Sequence, residues 1–325
     1  MIRPYDITSW SLPLHRGLEC DEIDVRAESL ERSLKKIEGR YQINQSVPNE
    51  YEAAVFPFSN NESYKAVFLA YKMGLKVRYV NHNIPIGNKS IEGAFVIPYF
   101  DANRTELNDL IGQLKVLPVF VEEEARLEGS DVGFPRIALV ETYQHDMDAG
   151  WTRYIFDSYH IPFDVIHPGE IKEKDLQNYD VLVFPDTHKS VLLKGKYESD
   201  DHYQMSHYPP EYTKGMEEEG LQKVMKFVHD GGKILSWGRS TELFMGKQTI
   251  QTDKEEKEEF SLPVENMAED VKKDGFYCPG SFVQLNLDNQ KVFNKGMPDK
   301  TGVFYRGDPV LLTSTPIFDM DRRVL

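Results

Sequence analysis

The chain has 325 residues, 40% of them hydrophobic, with 38 Lys and Arg against 53 Asp and Glu and a formal net charge of −15. That length suits about two domains of ordinary size. The acidic balance repels a phosphate backbone and argues against nucleic acid as a partner. Cys20 and Cys278 lie far apart and form no CxxC, which excludes a thiolate zinc knuckle and a disulfide framework but leaves one long-range bridge open. No apolar run is long enough to cross a bilayer, and prolines and polar residues interrupt any signal-peptide core in "MIRPYDITSWSLPL".

Residues 20–39 place Ile23, Val25, Leu30, Leu34 and Ile37 at near-helical spacing before Gly39, which predicts a helix, most securely from Val25. "YEAAVFPF" reads as a strand, and Ser59 and Asn60 stand as caps for the amphipathic helix "NESYKAVFLAYKMG", stopped by Gly74. "KVRYV" and "GAFVIPYF" are strand-like and "TELNDLIGQLK" is a short helix, so residues 1–125 are expected to form a small α/β unit. Residues 126–134 read as a linker.

From Pro135 the alternation is cleaner. "RIALVET" is a buried strand, and Asp148 is positioned to cap the helix "AGWTRYIFDSYH", whose Tyr154 and Ile155 are expected in the core. "FDVIH" and "YDVLVFPD" are further strands, followed by a polar loop, the helix "EEEGLQKVMKFVHDGG" and a fourth strand, "KILSWG". Strand–helix alternation with continuous Val, Ile and Leu predicts a parallel sheet covered on both faces, over residues 135–250. Residues 251–325 hold a charged loop and short strand-like pieces, and are expected to be a closing segment that is incomplete at its C-terminus.

Four chemistries can be weighed. His167 and Glu170 have the three-residue separation of a zinc-ligand pair, but Pro168 and Gly169 put them in a turn, and His188, His202, His207 and His229 supply no matching third ligand. Asp200, Asp201, His202, His207 and Glu211 could hold a divalent ion, yet they suit a solvated loop stiffened by Pro209 and Pro210 better. In "LSWGRSTEL" a strand-to-helix turn presents Gly238 where a hydrolase would carry its nucleophile, with Ser236 and Ser240 displaced by two residues. No GxGxxG or GxxxxGKS phosphate loop follows any strand. Parallel sheets bind ligands beyond the carboxyl ends of their strands. Topology therefore nominates Glu141, Thr142, Asp186, Thr187, Gly238, Arg239 and Ser240, and an ordinary solvated sheet edge would look the same.

Together, "RPYDITSWSLPL", "GWTRYIFDSYHIPFDVIH", "YDVLVFPD", "PPEYTKGMEEEGLQKVMKFVHDGGKIL" and "FYCPGS…GMP…VFYRGDPV" cover nearly the whole chain. In that order they resemble the region that follows the catalytic domain in large bacterial zinc carboxypeptidases of the carboxypeptidase A superfamily. The resemblance implies that residues 135–250 are similar to a class I glutamine amidotransferase domain, a flavodoxin-like three-layer α/β fold with a parallel sheet, preceded by a smaller α/β domain. It implies no zinc ligand in this chain, zinc being held by a peptidase domain outside it, which would also be its partner. It implies export of the parent, and it places Gly238 at the amidotransferase cysteine position. The expected role is a non-catalytic accessory region that contributes docking or binds a small polar ligand or peptide. The alternative is a self-standing small-ligand or glycan-binding module, with Trp151, Tyr154, Tyr203 and Tyr208 available to stack on sugar faces.

Overall fold

The computed structural model describes residues 21, 23–35, 38, 47–86, 89–122, 127–144, 146–197, 208–251, 257–262, 264–278 and 280–313. Cys20, residues 3–14, Asp200, Asp201, His202, Tyr203 and His207 lie outside them. The chain divides into two compact units, one from residues up to Gly133 with Gly280–Tyr305, the other from Phe134–Pro279 with the residues from Arg306 onward. Over the described residues the protein is mixed α/β, with one parallel sheet and several antiparallel ones.

The first unit opens with a short helix, α1 (Glu28–Ser33), which buries none of its residues. The longer helix expected around it is not formed over the described residues. Val25, Leu30 and Leu34 all stay exposed, and six residues without a packed face are too few to propagate a helix on propensity alone. A five-stranded antiparallel sheet follows, built from β1 (Ala53–Pro57), β2 (Arg78–Ile86), β3 (Lys89–Pro98), β4 (Val119–Val121) and β5 (Ser130–Asp131) in the order β4-β1-β3-β2-β5. Interior strand β1, between β4 and β3, is buried at Ala53, Ala54, Val55 and Phe56, as a strand with both faces covered must be. Helix α2 (Asn61–Lys72) is capped by Asn60, whose side chain accepts from the Glu62 N–H, and it buries Ala66, Val67, Leu69 and Ala70. Helix α3 (Arg104–Gly112) buries Leu107, Leu110 and Ile111. The stretch expected to be a linker is partly built in: Leu127 is buried in the core of this sheet, and Ser130 and Asp131 pair with Tyr79 and Arg78.

The second unit is organised on a four-stranded parallel sheet of β6 (Ile137–Val140), β7 (Asp164–Ile166), β8 (Val181–Phe184) and β9 (Lys233–Ser236), in the order β7-β6-β8-β9. The register aligns Leu139 with Val165 on one side and Val183 on the other. Helices α4 (Met147–Tyr159), α5 (Lys189–Lys194) and α6 (Glu217–His229) connect these strands. Helix α6 has Glu217, Glu218 and Glu219 in its first turn and Lys226 and His229 in its last, a charge order that complements the helix dipole. It packs Val224, Phe227 and Val228 into a core with Leu182, Phe184, Ile171 and Met216. Burying a side chain the size of Leu182 or Phe184 contributes about 1.5–3 kcal/mol.

Two sequence expectations for α4 are corrected. Its N-cap is Asp146, whose side chain accepts from the Ala149 N–H, and not Asp148. Tyr154 and Ile155 are exposed, because the buried side of the helix runs through Ala149 and Thr152. Beyond β9, a 3₁₀ turn at Gly238–Phe244 leads into the hairpin β10 (Gly246–Gln251) and β11 (Lys257–Leu262). Then come β12 (Val264–Asn266) and α7 (Ala268–Lys273). The hairpin of β13 (Ser281–Asn286) and β14 (Lys300–Tyr305) belongs to the first unit, while β15 (Leu311–Thr313) pairs with β12 in the second. The closing segment is thus shared between the two units. Among the described residues no helix is long and apolar enough to cross a membrane.

Candidate functional site

The chain leaves β6 toward β7 on one side of the parallel sheet, and leaves β8 toward β9 on the other. A ligand crevice is expected where such directions diverge, at the carboxyl ends of β6 and β8. All seven nominated residues sit at this edge of the sheet, in the turns that follow β6, β8 and β9.

Asp186, Gly238, Arg239 and Ser240 form one constellation. Arg239 donates from Nε and Nη2 to the two oxygens of Asp186 at 3.0 and 2.7 Å, and its backbone N–H adds a third bond at 2.7 Å. Burial pushes the Asp186 carboxyl up, but the hydrogen bonds and charge of Arg239 outweigh it and hold the group below its ordinary range. The same hydrogen bond raises the Arg239 guanidinium. Gly238 has φ +62°, where side chains are disfavoured, and a Cβ there would collide with Asp186 Oδ1. Ser240 is fully buried, its hydroxyl within 2.8 Å of both the Phe184 and Trp237 carbonyls, so its single proton is committed to backbone. Tyr197 and His188, which the sequence did not nominate, complete the group. The Tyr197 hydroxyl accepts from Arg239 Nη1 at 3.3 Å, and the Tyr197 ring lies 4.1 Å from that of His188. Burial, then the charge of Arg239, push the His188 imidazole down and favour its neutral form.

Glu141 and Thr142 join a second cluster. Glu141 pairs with Arg153 at 3.1 Å, and its carbonyl accepts from His167 Nδ1 at 2.8 Å. A carbonyl can only accept, so His167 carries its proton on Nδ1 and, when neutral, its lone pair on Nε2. Tyr143 stacks on His167 with ring centres 4.0 Å apart, and Tyr212 meets Tyr143 edge-on at 4.9 Å. Thr142 donates from its backbone N–H and its hydroxyl to Asp146 Oδ2 at 2.8 and 3.0 Å. Burial raises the Asp146 carboxyl despite these bonds. Gln144 is buried, donates to the Gly195 carbonyl at 2.9 Å, and leaves Oε1 without a partner among the described residues. Thr187 is half-buried in the turn after β8, between Asp186 and His188 in chain order, and takes part in neither bonding network among the described residues.

The His167–Glu170 spacing has a structural use. Glu170 turns back to accept from the His167 backbone N–H at 3.4 Å, closing a short 3₁₀ turn, while the His167 ring is spent on Glu141 and Tyr143. Among the described residues, no group of three or more His, Cys, Asp or Glu gathers to hold a metal ion.

A cavity of about 510 Å³ opens at the opposite, amino edge of the same sheet, between Arg136, Tyr179, Lys223, Phe227 and Lys233. Its cations are largely committed: Arg136 grips Asp180 and holds that carboxyl down to about 2, Lys226 pairs with Asp230, and Lys223 donates to two carbonyls. We read this cavity as a notch between ion-paired loops. The carboxyl edge carries the better-organised polar groups.

The sequence could nominate the carboxyl edge because strand order depends on the alternation of elements. It could not nominate Tyr197, which follows α5 and reaches Arg239 across 42 residues. No family model, no curated protein and no solved structure matches the chain.

Proposed function

We propose that this chain is a non-catalytic accessory region that binds or docks through the carboxyl edge of its parallel sheet. The observation that carries this is the closure at Gly238. The position that would hold a nucleophile has no side chain, faces a carboxylate locked by Arg239, and tolerates no Cβ. The neighbouring hydroxyl, Ser240, is buried and bonded to backbone. Relative to chain order the sheet runs 2-1-3-4, which supports the flavodoxin-like reading for this unit. In this proposal the parent is a zinc carboxypeptidase-like, exported protein whose peptidase domain holds the zinc and removes carboxy-terminal residues from peptides. The present chain shapes or docks a small polar ligand or peptide.

The test is to treat the purified chain with serine- and cysteine-directed activity probes and to assay a panel of peptides and amides. The proposal expects no covalent adduct and no turnover above buffer. A stoichiometric adduct on Ser240 or Cys278 would overturn it.

A second reading is favoured by one observation. Met147, Trp151, Tyr154 and Ile155 form an exposed stripe along α4, with Trp151 65% and Tyr154 63% accessible and their rings perpendicular at 5.8 Å. Two exposed aromatics on a rigid helix suit stacking on an apolar sugar face, as a glycan-binding module requires. Trp151→Ala abolishing retention on a glycan array would favour that reading over the first.

A further inference from the structure

Helix α4 buries Ala149 and Thr152, and with 3.6 residues per turn its opposite side runs through Met147, Trp151, Tyr154 and Ser158. The solvent side of a surface helix normally carries charged and polar residues. Here Met147 is 75%, Trp151 65%, Tyr154 63% and Ile155 51% exposed, and no Asp, Glu, Lys or Arg interrupts the stripe. The charges on either side are engaged elsewhere, Asp148 by the Trp237 indole and Arg153 by Glu141. Asp157 stands at the rim.

The spacing of these residues makes the face complementary to itself. Met147, Gly150, Trp151 and Tyr154 stand at i, i+3, i+4 and i+7, the four corners of a hole between side chains on a helix. Trp151, Tyr154, Ile155 and Ser158 repeat the pattern one turn later. Each hole has one small corner, and a Cβ at Gly150 would meet nothing within 4 Å, so each hole accepts a large knob. The knobs lie on the same face. When a second copy packs antiparallel about a twofold axis, its Tyr154 meets the first hole and its Trp151 the second, in one register. The two helix dipoles then oppose each other, which favours that direction.

The size of the face also suits a second copy. Aromatic side chains bury about 150–250 Å² each, so Trp151 and Tyr154 leave about 200–300 Å² exposed between them. Met147 and Ile155 bring the stripe to roughly 500 Å², the scale at which an apolar patch marks an interaction site. Two copies together cover roughly 1,000 Å², the lower bound for a specific interface.

We propose that the chain forms a twofold dimer through antiparallel α4 helices, with Trp151 and Tyr154 of each copy seated in the holes of the other. The dimer does not rest on a binding role for the carboxyl edge, and it buries the face that sugar stacking would need. Each copy has a formal net charge of −15, so repulsion opposes association and salt relieves it.

Sedimentation equilibrium of the purified chain tests this. The mass should rise from that of one chain toward that of two across the micromolar range, as expected for an interface of about 1,000 Å². Added sodium chloride should tighten the association. Trp151→Lys and Tyr154→Lys should each weaken it at least about tenfold and leave the melting temperature of the monomer unchanged. Phe293→Lys, at an aromatic that is 70% exposed in the first unit, should leave the dimer intact. A monomer at every concentration up to roughly 1 mM, including one that Trp151 retains on a glycan array, would overturn the proposal. So would a dimer that neither α4 variant weakens, or one that salt dissociates.

Discussion

Asp186 receives three hydrogen bonds from one residue, Arg239, two from the guanidinium and one from the backbone N–H. The arrangement ties the end of β8 to the turn after β9 across 53 residues. Arg239→Ala removes the guanidinium and leaves a half-buried carboxylate with the backbone N–H of residue 239 but without its cation. Breaking a fully buried pair costs about 3–5 kcal/mol and exposed pairs contribute about 0–1. With the Arg239 side chain 41% and Asp186 27% exposed, the expected loss is about 2 kcal/mol. Urea unfolding measures it, and Arg239→Lys should recover only part, because the forked geometry is lost.

The same pair sets a pH dependence. The Asp186 carboxyl is lower in the folded protein than in the unfolded chain, where it titrates near about 3.9. Its stabilising contribution is therefore fully present above that value and is lost as pH falls through the lower folded value. The stability difference between the native chain and Asp186→Asn should be constant above about pH 5 and shrink progressively below about pH 4. A difference that grows on acidification would contradict the assigned pairing.

Restoring a side chain at the turn should not restore chemistry. Gly238→Cys places a Cβ against Asp186 at φ +62°. Left-handed backbone costs a side chain about 1–2 kcal/mol and overpacking about 1–3, so a loss of about 2 kcal/mol or more is expected by thermal or urea unfolding. Amide turnover by this variant at undiminished stability would show that the turn had been misjudged.

The cap of α4 separates two neighbouring aspartates. Asp146 holds the N–H groups of Thr142 and Ala149, whereas Asp148 accepts from the Trp237 indole at 3.1 Å. Asp146→Ala should cost about 1–2 kcal/mol and speed amide exchange at Thr142 and Ala149. Asp148→Ala should leave both amides protected.

Tyr51→Phe probes, by stability alone, a hydroxyl that is buried with no hydrogen-bond partner among the described residues. Removing a buried donor that has no partner relieves a desolvation penalty of about 1–3 kcal/mol. The variant should therefore be at least as stable as the native chain, and more stable by up to about 3 kcal/mol, in the urea midpoint.

Elements with a strong local signal were legible in the sequence. The runs at Ile137–Val140 and Val181–Phe184 are apolar because both sheet faces are covered, and the Asn60 cap announces α2. Less legible features depend on tertiary choice. Asp146 and Asp148 are chemically equivalent caps, and only the turn held by Thr142 selects the first. Tyr154 and Ile155 look like core residues, yet the helix rotates them outward in favour of Ala149 and Thr152. Leu127 sits in a polar stretch that reads as a linker, and its burial follows from β5 joining the antiparallel sheet. At the sheet edge, seven positions followed from strand order alone, but a pair 53 residues apart, Asp186 and Arg239, leaves no local pattern from which the sealed turn could be read.

The most direct measurement is steady-state hydrolysis of a peptide and amide panel by the purified chain, alongside Ser240→Ala and Cys278→Ala. A carboxyl edge that binds without reacting predicts rates equal to buffer for all three proteins. Turnover by the native chain that either substitution abolishes would contradict that claim.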